Sequence, residues 1–228
     1  MQERILIWDL PTRIFHWTLA ASFAGAFVTA ESERWRDVHV MLGFTVLGLV
    51  AFRLCWGFVG TRYARFAQFV RGPAAIVRYL KSLLMRRPEH HFGHNPAGAV
   101  AILALLGLAV LVGASGWLIY ADAGGDFLEE VHEGISFAML AVVGVHVAGV
   151  LMSSLLHREN LVRAMFDGRK IGPRDAGIVG GRAAIGVALA AAIAAFWLWS
   201  LLSEDGPPAR NAAPVEQAGQ AARAHDDD

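Results

Sequence analysis

The chain has 228 residues, 55% of them hydrophobic and 18% charged, with a mean hydropathy of +0.44; soluble domains carry about a quarter charged residues, so this composition belongs in a bilayer. Twenty basic residues balance twenty acidic ones, which excludes the bulk basic surface that nucleic acid requires. The single cysteine, Cys55, excludes an intramolecular disulfide, a thiolate-held iron–sulfur cluster, a Cys-rich zinc site and a CxxCH haem attachment, leaving redox chemistry to the nine histidines.

Five apolar stretches are expected to span a membrane, for which about 20 residues at about 1.5 Å rise are needed. They are Phe15–Ala30, Val38–Val59, Ala97–Tyr120, Val131–Leu156 and Ala183–Leu202. The third and fifth are almost purely aliphatic, whereas the first, second and fourth carry histidine or arginine. The runs are too long for strands and lack turn chemistry, so no β-structure is expected. Val28-Thr29-Ala30 imitates a signal-peptidase site, but the leader is mixed in charge and Phe15-His16-Trp17 interrupts the apolar run. The first span therefore reads as a retained helix.

Loop charges give an orientation. Segments 1–13, 61–95 and 157–182 hold fifteen Lys and Arg together, against four in segments 31–37, 121–130 and 203–228. By the positive-inside rule the N-terminus and both long loops are cytoplasmic and the tail is outside. Between Ala74 and Met85, Ile76, Tyr79, Leu80, Leu83 and Leu84 alternate with Arg78 and Lys81 at helical spacing. This predicts an amphipathic helix on the anionic leaflet, started by Pro73. Residues 203–228, rich in Pro, Ala, Gln and Asp, are expected to be a disordered tail.

Histidine inside hydrocarbon is costly and marks a site. His90, His91 and His94 sit in a polar loop beside Arg86 and Arg87 and are expected to be solvated or to face headgroups. His157 reads as interfacial, and His225 falls in the tail. Four remain: His16, His39, His132 and His146. His132 and His146 are fourteen residues apart, about 21 Å and nearly four turns, so they share a face at opposite depths. Depth then pairs His39 with His132 outside and His16 with His146 inside.

Two opposed imidazoles suit a six-coordinate haem iron. Packing histidines and a proton or metal pathway are the competing readings. Gly43 and Gly48, Gly134, Gly144 and Gly149, and Ala20 and Gly25 would leave room for a flat macrocycle, though small residues also pack helices. Arg53 is fourteen residues after His39 and reaches the inner level, where it could meet a haem propionate or snorkel to headgroups. Arg13 and Arg36, near the two surfaces, are weaker candidates of the same kind.

Several motifs then join: Trp8-Asp9-Leu10-Pro11-Thr12-Arg13-Ile14-Phe15-His16-Trp17, His39 with Gly43, Gly93-His94-Asn95-Pro96-Ala97-Gly98, the His132/His146 spacing, and Ser153-Ser154-Leu155-Leu156-His157-Arg158-Glu159-Asn160-Leu161. Together, over about residues 5 to 170, they resemble the bacterial cytochrome b561 and nickel–iron hydrogenase b-type cytochrome family. The resemblance implies an all-α integral membrane protein: a four-helix di-haem bundle over 1–170, with residues 183–202 as an extra, fifth transmembrane helix. It implies two haems b, with His16, His39, His132 and His146 at the family's ligand positions, and electron transfer between quinone and a periplasmic c-type cytochrome or hydrogenase-like protein. Membrane lipid and a second copy in a homodimer complete the candidate partners; nucleic acid is not one. The acidic outer loop, Asp122, Asp126, Glu129 and Glu130, would suit a basic partner. Competing readings are a stand-alone quinone-linked oxidoreductase, for example superoxide to quinone, and a non-catalytic membrane anchor.

Overall fold

The computed structural model describes residues 2–85, 89 and 91–203. Arg86, Arg87, His90 and all of the expected tail after Ser203, His225 included, lie outside the described residues. In chain order the elements are β1 (Gln2–Leu6), α1 (Leu10–Thr29), a 3-10 turn (Glu33–Trp35), α2 (Arg36–Val59), α3 (Phe66–Phe69), α4 (Pro73–Leu84), α5 (Pro96–Tyr120), α6 (Gly125–His157), α7 (Leu161–Asp167), β2 (Arg169–Pro173) and α8 (Ala183–Leu202).

Helix starts follow the local chemistry. The Asp9 side chain accepts from Thr12 N at 2.8 Å with Pro11 in the first turn, and Asn95 accepts from Gly98 N at 2.7 Å with Pro96 behind it. A side-chain acceptor satisfies an orphan N–H, and proline occupies a position whose own N–H would be unpaired. Asn160 caps α7 in the same way through Arg163 N.

Four helices are long and apolar enough to cross a membrane: α2 with its preceding turn, α5, α6 and α8. The first expected span, α1, is equally long as α8 at 20 residues but is not among them, because Arg13 and His16 fall within it. Helix α1 packs on α2, α2 on α5 and α5 on α6, while α8 lies along α1. Two apolar clusters hold this bundle. Phe23, Val46, Val50, Ala109 and Met139 form one; Phe15, Leu49 and Leu106 form the other, with Leu189 and Ile193 of α8 against them. Trp197 Nε1 also donates to Thr45 Oγ1 at 2.9 Å, so α8 is an integral wall of the bundle.

The expectation of no β-structure is corrected. β1 and β2 form an antiparallel ladder that pairs Gln2 with Pro173 and Leu6 with Arg169. Each strand is only five residues long, and its partner lies some 160 residues away along the chain, so neither length nor local pattern announces it. Around the ladder, Ile5, Ile7, Trp8, Tyr63 and Ala176 form a third core that closes one end of the bundle. Gly168 is required there. Its φ is +77°, its carbonyl accepts from Ile7 N and Trp8 N, and a Cβ would lie 2.6 Å from Trp8 O.

The amphipathic helix appears as α4, started by Pro73. Its Tyr79 is buried with its ring stacked on His91 at 5.7 Å, while Val77 and Leu80 stay exposed and Arg78 pairs with Glu89 at 3.1 Å.

Candidate functional site

Two levels of the bundle carry the histidines, because α2 and α6 are unbroken and keep the fourteen-residue register in both. At the level that loop charge predicts to be the outer one, the structure brings His39 and His132 together, ring centres 6.4 Å apart and planes inclined by 74°. Each ring is oriented through Nδ1. His39 Nδ1 lies 2.8 Å from the Ala26 carbonyl oxygen, which can only accept, so Nδ1 carries the proton. His132 Nδ1 lies 2.9 Å from Ser115 Oγ, whose own hydrogen is engaged by the carbonyls of Leu111 and Val112. The hydroxyl must therefore accept from Nδ1–H. Both tautomers leave Nε2 with an open lone pair, the form in which imidazole binds a metal while its other nitrogen is held in place.

The ring separation fits one metal ion between the pair. With a metal–nitrogen bond of about 2 Å and a ring centre about 1.1 Å behind its nitrogen, two trans imidazoles have centres about 6.2 Å apart. Gly116 allows this placement, since a Cβ there would lie 3.1 Å from His132 Cε1. Neither Ser115 nor Gly116 is legible as a site residue in the sequence, where both sit in a plain aliphatic helix. Among the described residues no three His, Cys, Asp or Glu side chains converge to hold a metal ion, so a pair of imidazoles is what each level offers. A porphyrin supplies the remaining four nitrogens of an iron; zinc would need them from the protein.

Of the small residues expected to make room, Gly43 stands one turn after His39 with open space in front of it. Gly25 is a packing glycine against Leu42. As Gly43 does for His39, Gly149 stands about one turn after His146 with open space in front of it, whereas Gly48, Gly134 and Gly144 lie on exposed faces, off the histidine faces of α2 and α6.

At the inner level His16 and His146 are close enough to interact electrostatically. Here the polar atoms are mostly unsatisfied. His16 Nδ1, Arg53 Nη1, Arg13 Nε and His94 Nδ1 are buried and have no hydrogen-bond partner among the described residues. Arg53 is only 3% exposed, with its guanidinium 5.0 Å from the centre of the Phe66 ring, so it does not snorkel. Asp9 is in electrostatic reach, but its oxygens are taken: Oδ1 by Thr12 N, Oδ2 by Trp56 Nε1 at 3.1 Å and Thr61 Oγ1 at 2.6 Å. Arg13 donates from Nη1 to the Phe166 carbonyl at 2.6 Å, and Trp17 donates to the Met165 carbonyl while its ring stacks on Phe166 at 4.2 Å. These contacts pin the start of α1 to α7. Arg36, at the start of α2, is exposed.

The expectation of a solvated His94 is overturned. Its ring lies 4.5 Å from Trp8 and 4.7 Å from Phe69, and burial, then the nearby Arg53 and Lys170 cations and the two inner histidines, push its pKa down to about 3. The polar composition of residues 86–95 concealed this, because Trp8, just after β1, and Phe69 of α3 arrive from elsewhere in the chain to pack on the ring. Lys170 is buried as well and pairs with Glu159 at 3.3 Å; burial lowers its pKa while Glu159 opposes the shift. The acidic residues Asp122, Asp126, Glu129 and Glu130 are exposed around the start of α6.

The family model for prokaryotic cytochrome b561 matches residues 7–168. A probable Ni/Fe-hydrogenase b-type cytochrome subunit of Rhizobium leguminosarum bv. viciae is 21% identical, over 75% of this chain and 90% of the relative. The protein of the same description in Azotobacter vinelandii is 24% identical, over 73% and 88%. The probable Ni/Fe-hydrogenase 1 b-type cytochrome subunit of Escherichia coli K12 is 24% identical, over 51% and 60%. No solved structure matches the chain. A family match running from the end of β1 to the close of α7, on a bundle of apolar membrane-length helices, makes this chain a member of the prokaryotic cytochrome b561 family, a multi-pass membrane b-type cytochrome that transfers electrons.

Proposed function

We propose that the chain carries electrons across the inner membrane, between quinone and a periplasmic redox partner, through two haems b. His39 with His132 would hold the outer one and His16 with His146 the inner one. The observation that carries this reading is the outer pair: a 6.4 Å ring separation with both Nδ1 atoms engaged as donors, so that both Nε2 atoms remain as metal ligands. Bound haem would supply a one-electron carrier whose iron, filled by two imidazoles, suits outer-sphere transfer and not oxygen binding. The polypeptide sets the imidazole tautomers, excludes water with the aliphatic clusters, and places cations at the inner level for propionate carboxylates, Arg53 foremost and Arg13 beside it.

Five crossings with a cytoplasmic N-terminus are part of the proposal. Helix α1, about 30 Å long, packs on α2 between the same two levels, and its polar residues are the ones the inner level uses. The hydrogenase-subunit descriptions of the relatives favour a hydrogenase-like partner for the acidic rim at the start of α6.

The test is haem content and a reduced-minus-oxidised spectrum of the purified chain. Two acid-extractable b haems per chain are expected. One haem or none per chain, or haem that resists extraction, overturns the proposal.

A further inference from the structure

His94 is a buried polar side chain that two histidine pairs do not use. Its surroundings are built by the fold: Asn95 caps α5 immediately after it, and the rings of Trp8, just after β1, and Phe69 of α3 both pack against its own. Yet its Nδ1 reaches no acceptor among the described residues, and the same is true of Arg53 Nη1. The two groups are electrostatic neighbours, and His94 is in similar reach of His16 and His146. A buried donor left unpaired costs about 1–3 kcal/mol, more when charged, so Arg53 Nη1–H, joined by His94 when its Nδ1 carries the proton, points to a missing acceptor in this pocket. Asp9 does not supply it: its hydrogen bonds run to Thr12 N, Trp56 Nε1 and Thr61 Oγ1, and none reaches Arg53 Nη1 or His94 Nδ1.

We propose that His94 is a positioning residue of the inner level, donating from Nδ1 to a haem propionate carboxylate that Arg53 holds from Nη1. This rests on the inner-haem reading above. One cation and one neutral N–H match a single carboxylate in charge, and both donors are presented by parts of the chain fixed independently of the haem: α2 for Arg53 and the cap of α5 for His94. A neutral donor also satisfies the carboxylate without adding a second buried charge, whose desolvation would be costly. The arrangement ties the orientation of the inner haem to the β1–β2 cap, since Trp8 sits in that cap's core.

The experiment uses the purified holoprotein with His94→Phe, which keeps a ring between Trp8 and Phe69 but removes the donor, and His94→Gln, which keeps an N–H. Haem content and potentiometric titration are measured for each, with an infrared redox difference spectrum in the propionate carboxylate region. Both variants should retain two haems. In His94→Phe the inner component should shift toward its oxidised form, about threefold in ratio at the wild-type midpoint, or about 28 mV. The outer component should not move, the propionate bands should shift, and His94→Gln should restore most of the difference. An unchanged inner midpoint in His94→Phe, or equal displacement in both variants, overturns the proposal. Should His94→Phe lose the inner haem, His94→Gln decides: wild-type midpoint and propionate bands support the role, and displaced ones refute it. A wild-type protein with one haem, or an inner component indifferent to His16→Ala, instead defeats the inner-haem reading itself.

Discussion

The outer and inner levels of the bundle are built on opposite plans. At the outer level each imidazole is held by groups of the neighbouring helix, a carbonyl from α1 for His39 and a hydroxyl from α5 for His132, so the polypeptide alone sets ring orientation and tautomer. At the inner level two arginines and two histidines present buried atoms that the described chain does not pair, while the nearby Asp9 carboxylate is bonded to Thr12, Trp56 and Thr61 instead. The His39–His132 pair leaves two Nε2 lone pairs open, whereas the other level leaves buried polar atoms unpaired among the described residues. The contrast extends to scaffolding. The outer pair depends on helix-to-helix contacts alone, whereas the inner level is closed by the β1–β2 ladder, α3 and α7, which bring Trp8, Phe69 and Phe166 around it.

Substituting ligands should break the comparison most severely. His39→Ala and His132→Ala are each expected to abolish the same redox component, and His16→Ala and His146→Ala the other. Redox titration of the four variants checks this; if His39→Ala and His146→Ala erase one component in common, the pairing by depth is wrong.

A smaller but directional effect is expected from Arg53→Leu. Removing a cation near a ferric haem, which carries the extra positive charge, favours the oxidised state and lowers the inner midpoint. At an effective dielectric of about 20 and a separation of about 8 Å the Coulomb term is about 2 kcal/mol, a fall of up to roughly 80 mV for one electron. The outer component, about 21 Å away by helix rise, should move far less. Equal shifts at both levels, or none with two haems bound, would remove Arg53 from the propionate role.

The smallest expected change tests the outer level. Ser115→Ala deletes the acceptor of His132 Nδ1–H, making the imidazole a poorer donor to ferric iron. The outer midpoint should rise by roughly 20 mV, with outer-haem affinity weakened about tenfold, as for other groups that orient metal-bound histidines. Titration and haem-retention measurements on the same preparation read both. A change at the inner midpoint instead would mean that the two levels are assigned the wrong way round.

Much of this was legible in the residues because helices in a membrane announce themselves locally. Apolar runs, the Asp9 and Asn95 caps with their prolines, and a fourteen-residue interval on α6 are all properties of contiguous sequence, and a helix converts such an interval directly into depth and face. The amphipathic α4 and the pairing of His39 with His132 emerged on the same basis. The β1–β2 ladder did not, since each strand is five residues long and acquires meaning only from a partner at the far end of the domain. Arg53 illustrates the boundary. Its register placed it at the inner level, but whether it snorkelled or stayed enclosed depended on Phe66 arriving from the next segment.

By itself, then, the sequence determined where the long apolar helices run and that His39 and His132 could meet, because those follow from periodicity along one chain segment. Only the tertiary structure decided that Ser115 orients His132, that α8 walls the bundle, and that His94 is buried between Trp8 and Phe69. The reason is physical. A side chain's burial and its hydrogen-bond partners are set by what packs over it from distant sequence, and no local pattern encodes that neighbour.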